Sequence, residues 1–164
     1  MTINQGIKHQ EIKEQEQGNI KGSETQYIVF RVGKEEYGIE LQHSREIIKL
    51  TKITHVPYMD EYVLGVINLR GQIVPLIDLR KRMGFEVRGD FTRETRVIIV
   101  DFEGLLMGLL VDEVKEVMWI KDNRLEEMKK TEQNIAKKYL KTVAKLGKRL
   151  IVLMDLKELL NKKE

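Results

Sequence analysis

Residues 62–79 read YVLGVINLRGQIVPLIDL, and at an offset of 77, without a gap, residues 139–156 read YLKTVAKLGKRLIVLMDL. Six of the eighteen pairs are identical: Tyr62/Tyr139, Val66/Val143, Leu69/Leu146, Leu76/Leu153, Asp78/Asp155 and Leu79/Leu156. A second alignment runs upstream at an offset of 70, setting Ile28 on Ile98, Gly38 on Gly108 and Glu46 on Glu116. Between these, Ile39 meets Leu109, Leu41 meets Val111, Arg45 meets Lys115 and Ile47 meets Val117. Two matches in the same order imply a duplicated unit. The seven-residue change of offset then falls in the connecting loops.

Each unit reads as strand, turn, strand, extended linker, hairpin and short helix. QYIVFRV (26–32) and RVIIVDF (96–102) are β-branched and aromatic, and YGIEL (37–41) and EGLLMGLLVD (103–112) follow them after turn residues. The hairpins turn at RGQ (70–72) and GKR (147–149). Asp78 and Asp155 each open a helix as N-caps, and Gly84 and Asn161 end those helices. Pro75 lacks a ladder donor, which suits an edge or a barrel rim. Ile135, Tyr139 and Val143 recur every four residues as in a helix. The repeat decides for a strand over 139–146, leaving room for a short helix around 124–130. The fold class is therefore all-β with short helices. So few strands cannot bury a flat sheet on both faces, so each unit is expected to close into a small barrel, which removes unpaired edges.

Composition limits the function. The net charge of +3 is small against 29 basic and 26 acidic residues, a mixed-sign surface. The abundance of Lys and Glu would fit a thermophile. With no cysteine there is no disulfide, thiolate metal site or thiol nucleophile. The longest apolar stretch, Leu105–Val111, is far below the ~20 residues of a membrane helix. Residues 1–24 carry no secretory h-region and read as a disordered tail, with the domain over 25–161 and a short tail at 162–164.

A search for chemistry finds little. His43 and His55 lack the spacing of a zinc site, Ser44 stands in no nucleophile motif, and no phosphate-binding glycine loop occurs. No enzyme, metal or cofactor is expected. RGD at 88–90 reads as a polar loop. The segment Lys129–Arg149 holds eight Lys or Arg against one Glu. Tyr139 is its one aromatic residue, so it reads as a solvated face rather than a nucleic-acid surface. QYIVFRV and RVIIVDF are apolar on both alternating faces, a surplus that the other unit or a partner must cover.

EEYGIEL (35–41) with REI (45–47), GVINLRGQIVPLIDLR (65–80), MGLLVDEVKEV (107–117) and KRLIVLMDLKELL (148–160) together resemble the CheW family of chemotaxis coupling proteins. The resemblance covers residues 27–160. It implies two five-stranded β-barrel subdomains around a shared hydrophobic core. It also implies a non-enzymatic cytoplasmic adaptor at receptor arrays. Such an adaptor links the cytoplasmic tip of methyl-accepting chemotaxis receptors to the regulatory domain of the histidine kinase CheA, without membrane insertion. Carried over by motif, receptor binding falls on Glu46, Gly65, Arg70 and Val117, in a groove between the barrels. Gly65 would admit a receptor helix, Arg70 would offer its donor fork, Glu46 would orient Arg70 or pair with a basic receptor residue, and Val117 would pack on an apolar ridge. Kinase binding is assigned to Ile39 and Leu41.

Two departures stand out. Ser44 replaces a usual aliphatic residue, and Thr142–Val143 replaces a Gly-aliphatic pair. A detached kinase regulatory domain or a longer hybrid adaptor would share the fold, and a nucleic-acid-binding small barrel is the alternative of another class. The chain's start and its stop after the last helix are read as those of a stand-alone adaptor. The repeat supplies a comparison for Arg70, because Gly147 takes its place in the second hairpin. The fold unit therefore does not require an arginine there.

Overall fold

The computed structural model describes residues 23–85, 91–128, 139–140 and 142–160. RGD at 88–90, Asn161 and most of the basic segment and N-terminal tail lie outside them. The strands are β1 (Glu24–Val32), β2 (Glu35–Glu40), β3 (Ser44–Lys49), β4 (Val63–Leu69), β5 (Gln72–Asp78) and β6 (Arg96–Phe102). They continue as β7 (Leu105–Val111), β8 (Glu113–Lys121), β9 (Leu125–Glu127), β10 (Thr142–Leu146) and β11 (Arg149–Leu153). Helices α1 (Leu79–Arg82) and α2 (Leu156–Leu159) are single turns. The short α-helix allowed around 124–130 is absent from its described part, where a 3-10 turn at Asp122–Arg124 leads into β9; residues 129–130 lie outside the described residues.

Among the described residues, one sheet has six strands in the order β8-β1-β2-β11-β10-β9 and the other five in the order β3-β6-β7-β5-β4. Shifting each strand to its repeat partner turns the first order into the second. The counterpart of β9 is a single bridge between Thr54 and Val66. Two expectations are corrected here. Each sheet takes its first hairpin from one repeat and its remaining strands from the other, so no repeat forms a subdomain alone. Nor does either sheet close into a barrel of continuous ladders. At the open side of the six-stranded sheet, β8 instead runs through the 3-10 turn into β9, and continuity of the chain links the two ends.

The exchange is locked by two parallel ladders. Leu153 of β11 lies beside Gly38 of β2, and Leu76 of β5 beside Gly108 of β7, at equivalent places in the repeats. A Cβ on Gly38 would stand 3.0 Å from Leu153 Cδ2, and one on Gly108 would stand 2.8 Å from Val97 Cγ1 and 3.2 Å from Leu76 Cδ1. The glycines thus make room for neighbouring side chains. Pro75 is not on an edge: β5 lies between β7 and β4. Its counterpart Val152 pairs with Tyr37, whereas the ladder from β5 to β7 starts only at Leu76, after the proline. A residue without an N–H cannot donate to the ladder, which here begins beyond it.

Alternation along β1 and β6 explains their two apolar faces. Tyr27 and Val29 fill the six-stranded sheet's own core, and Val97 and Ile99 that of the five-stranded sheet. Ile28, Phe30 and Val32 meet Ile98 and Val100 in a third core shared by both. The surplus face of each strand is covered by the other half of the chain.

The two repeats meet within that shared core through equivalent residues. Arg82 is 7% exposed, with its guanidinium 4.9 Å from the ring of Tyr62 and 4.7 Å from that of Tyr139, which are repeat partners. It donates from Nη2 to the carbonyl of Leu159, its own repeat partner, at 3.0 Å. The Tyr139 hydroxyl donates to the Arg82 carbonyl at 2.9 Å. The expected caps are present: Asp78 accepts from the Arg80 N–H, and Asp155 from those of Lys157 and Glu158.

Candidate functional site

The β4–β5 hairpin turns on two residues. Arg70 has φ +51° and Gly71 φ +87°, the left-handed pair of a type I′ turn. Asn68 Oδ1 accepts the Gly71 N–H at 2.8 Å and steadies it. The polar residues in this apolar hairpin therefore shape the turn and set the direction of Arg70. Opposite, β3 carries a bulge: Ser44 pairs with Val100 and Glu46 with Ile99, leaving Arg45 as the extra residue. Arg45 bonds Asp101 through Nη2 at 2.9 Å, and Glu46 receives both terminal nitrogens of Arg70 in a bidentate fork. The charge-assisted bonds hold the Arg70 proton more firmly than in free arginine. A shallow cavity of about 260 Å³ lies here, lined by Arg45, Glu46, Leu69, Arg70, Ile99 and Leu106 among others.

The other sheet shows what is distinctive. Glu116, the partner of Glu46, also holds an arginine, Arg149, at 2.7 Å. Arg149 is bound by a second carboxylate as well, Glu36, again at 2.7 Å. Glu36 corresponds to Leu106, so the five-stranded sheet has an apolar residue where the other has the second acid. The Arg149 side chain is 34% exposed, whereas Arg70 is 70% exposed above an apolar floor. Arg70 is the cation held by one carboxylate rather than two, and its exposed side keeps donor capacity facing outward.

Of the four expected receptor positions, the structure joins Glu46 and Arg70. They cap one end of the five-stranded sheet's own core rather than lining a groove between subdomains. Gly65 is buried, and a Cβ there would lie 2.3 Å from the carbonyl oxygen of Thr54, at φ +150°. The close approach it permits is that of this chain's own backbone. Thr142, at the equivalent place, instead pairs regularly with Glu127 of β9. Val117 stands on β8 in the other sheet, opposite Ile28, and is 45% exposed. Ile39 is fully buried in the shared core and presents no surface, which removes it as a contact. Leu41 is half-buried at the 3-10 turn Leu41–His43. His43 packs edge-on against Phe102 at 5.1 Å, and His55 is exposed. Among the described residues, no group of three or more His, Cys, Asp or Glu could hold a metal, and no helix is long and apolar enough to cross a membrane.

Comparison with known proteins bears on this geometry. The family model of the CheW-like domain matches residues 26–164. The chain belongs to the CheW-like family. A chemotaxis protein CheW of Bacillus subtilis is 35% identical over 135 residues, covering 82% of this chain and 86% of its own length. One from Klebsiella aerogenes is 32% identical over 148 residues, covering 90% and 87%. The crystal structure of the scaffolding protein TtCheW from Thermoanaerobacter tengcongensis superposes with a TM-score of 0.72 at 33% identity. That match covers 81% of this chain and 90% of the other. These likenesses support the mostly-β CheW-like fold, and the family is one of scaffolds rather than of known enzymes.

Proposed function

We propose that this CheW-like chain is a non-enzymatic chemotaxis adaptor in the cytoplasm. In this reading it couples the cytoplasmic tip of methyl-accepting receptors to the histidine kinase CheA at receptor arrays. Family membership supports the adaptor role, and the exposed Arg70, held by a single carboxylate, is the observation that supports a partner contact at this rim. A guanidinium held by one carboxylate and open on its other side suits a receptor helix offering a carboxylate or a free carbonyl. Glu46 holds the fork in position, and Val117 adds an apolar contact. Gly65 contributes indirectly, by keeping β4 against Thr54. Kinase contact is assigned to the surface around Leu41.

Two charge variants test the receptor site by co-sedimentation with a purified receptor cytoplasmic fragment and CheA. Arg70→Glu is expected to abolish binding of the receptor fragment with the melting temperature nearly unchanged. The double variant Glu46→Arg/Arg70→Glu restores the ion pair with its sense reversed. Binding is expected to stay lost, because the partner then meets an acid. Recovery in the double variant would show that the pair acts only inside the protein. Failure of the wild-type chain to bind either partner at micromolar concentration would sink the adaptor reading. Binding to DNA or RNA that falls steeply with salt would replace it.

A further inference from the structure

Strand β8 holds the chain's single tryptophan in the open. Trp119 is 59% exposed, and Val117, two residues earlier on the same face, is 45% exposed. The ladder with β1 sets Ile28 opposite Val117, Gln26 opposite Trp119 and Glu24 opposite Lys121. Ile28 belongs to the core shared by the two sheets. Val117 and Trp119 therefore continue that apolar face past the point where the second sheet covers it. The repeat again gives a comparison. Ile47 stands for Val117 at 39% exposed, but Lys49 stands for Trp119 and ends the face in a cation. The fold unit does not need an aromatic residue at this position. Tryptophan is prominent among residues that dominate binding energy when a partner desolvates them.

The occupant can be narrowed by chemistry. Strand addition at the edge of β8 is disfavoured, because Lys115 is the extra residue of a bulge between the Val114–Phe30 and Glu116–Val29 pairs. Bulges and edge lysines block pairing of foreign strands. Lys115 is engaged by Glu113 at 3.8 Å, but Lys121, beyond Trp119 on the same face, has no ion pair among the described residues, so a partner with a carboxylate beside an apolar ridge matches in both charge and hydropathy. An amphipathic helix has that form. We infer that Trp119, with Val117, is the apolar anchor for such an acidic amphipathic helix, supplied by the receptor tip. The inference rests on the adaptor reading and adds an anchor that lies apart from Arg70.

Trp119 is its own reporter. The full chain is titrated with a purified receptor cytoplasmic fragment while tryptophan emission is recorded against a tryptophan-free fragment. The expected result is a saturable shift to shorter wavelength at the concentration where co-sedimentation saturates. Trp119→Ala should weaken binding about tenfold or more, Trp119→Phe much less, and neither should move the melting temperature. Binding with unchanged emission and undiminished affinity of Trp119→Ala overturns the inference and leaves the adaptor reading standing. Emission already blue in the free chain, or shifting with protein concentration alone, also overturns it, since another part of the chain or a second copy then covers Trp119. No binding by any readout overturns the adaptor reading together with this one.

Discussion

Arg70 occupies a left-handed turn position that side chains seldom adopt, and its fork closes on a single carboxylate in the open. Gly65, five residues earlier, has the opposite character: no side chain, no exposure and no room. Substitutions at the two positions should therefore behave differently even though both reduce partner binding. Gly65→Ala sets a Cβ against the Thr54 carbonyl at an unfavourable φ. It should cost roughly 2–4 kcal/mol in urea unfolding, with binding lost only in proportion to the unfolded fraction. Full stability in that variant would show that the strand can yield. The arginine was legible as dispensable to the fold, since the aligned repeat has Gly147 there. Its pairing with Glu46 came with the family resemblance and not from the repeat, because the two arginines that answer Glu46 and Glu116 stand at different points of their hairpins, Arg70 in the turn and Arg149 just after it. An alignment compares positions, and here the ion pairs do not follow it. Ile39 misled for a related reason: the apolar face it shares with Tyr37 reads the same whether the cover is the other sheet or a partner protein.

Single strands carry two environments each, and Tyr37 on β2 shows the consequence. Its ring stacks on Phe30 in the shared core, with centroids 6.2 Å apart. Burial, with a smaller contribution from Glu35, pushes its hydroxyl up to about 12. The unfolded chain ionises near the ordinary value of 10, so between pH 10 and 12 the folded state retains a proton that the unfolded state has lost. The contribution is complete below pH 10 and is lost as pH rises toward 12. Melting temperature should thus fall across that window, and Tyr37→Phe should flatten the fall. An unchanged slope in that variant would point to other groups. At this scale most of the structure was readable: the strands, both capped helical turns, the hairpins and the register of the repeats. The readings that failed were those in which a partner strand decides. Pro75 reads as an edge residue until the short parallel ladder beyond it is seen.

For the whole molecule, the pairing of strands was the part the repeat concealed. A duplicated sequence suggests two separate units, yet each sheet is built from both, with Arg82 held between the paired tyrosines where they meet. Arg82→Leu removes two cation–π contacts and leaves the Leu159 carbonyl without that donor. It should cost about 2–4 kcal/mol. Unfolding should remain a single transition, with Trp119 emission in one sheet and far-ultraviolet dichroism of both sheets changing together in urea. Two resolved midpoints would show that the sheets fold separately. The exchange also bears on the order in which a ribosome releases the chain. The hairpin β1–β2 emerges well before its neighbour β11, since the ladder joins Glu36 to Ile151. Until then the edge of β2, and the face of β1 that packs with Ile151 and Leu153, lack their native cover. A nascent chain must therefore synthesise everything between Glu36 and Ile151 with that hairpin's edge unfinished, a period in which the native fold does not yet guard it.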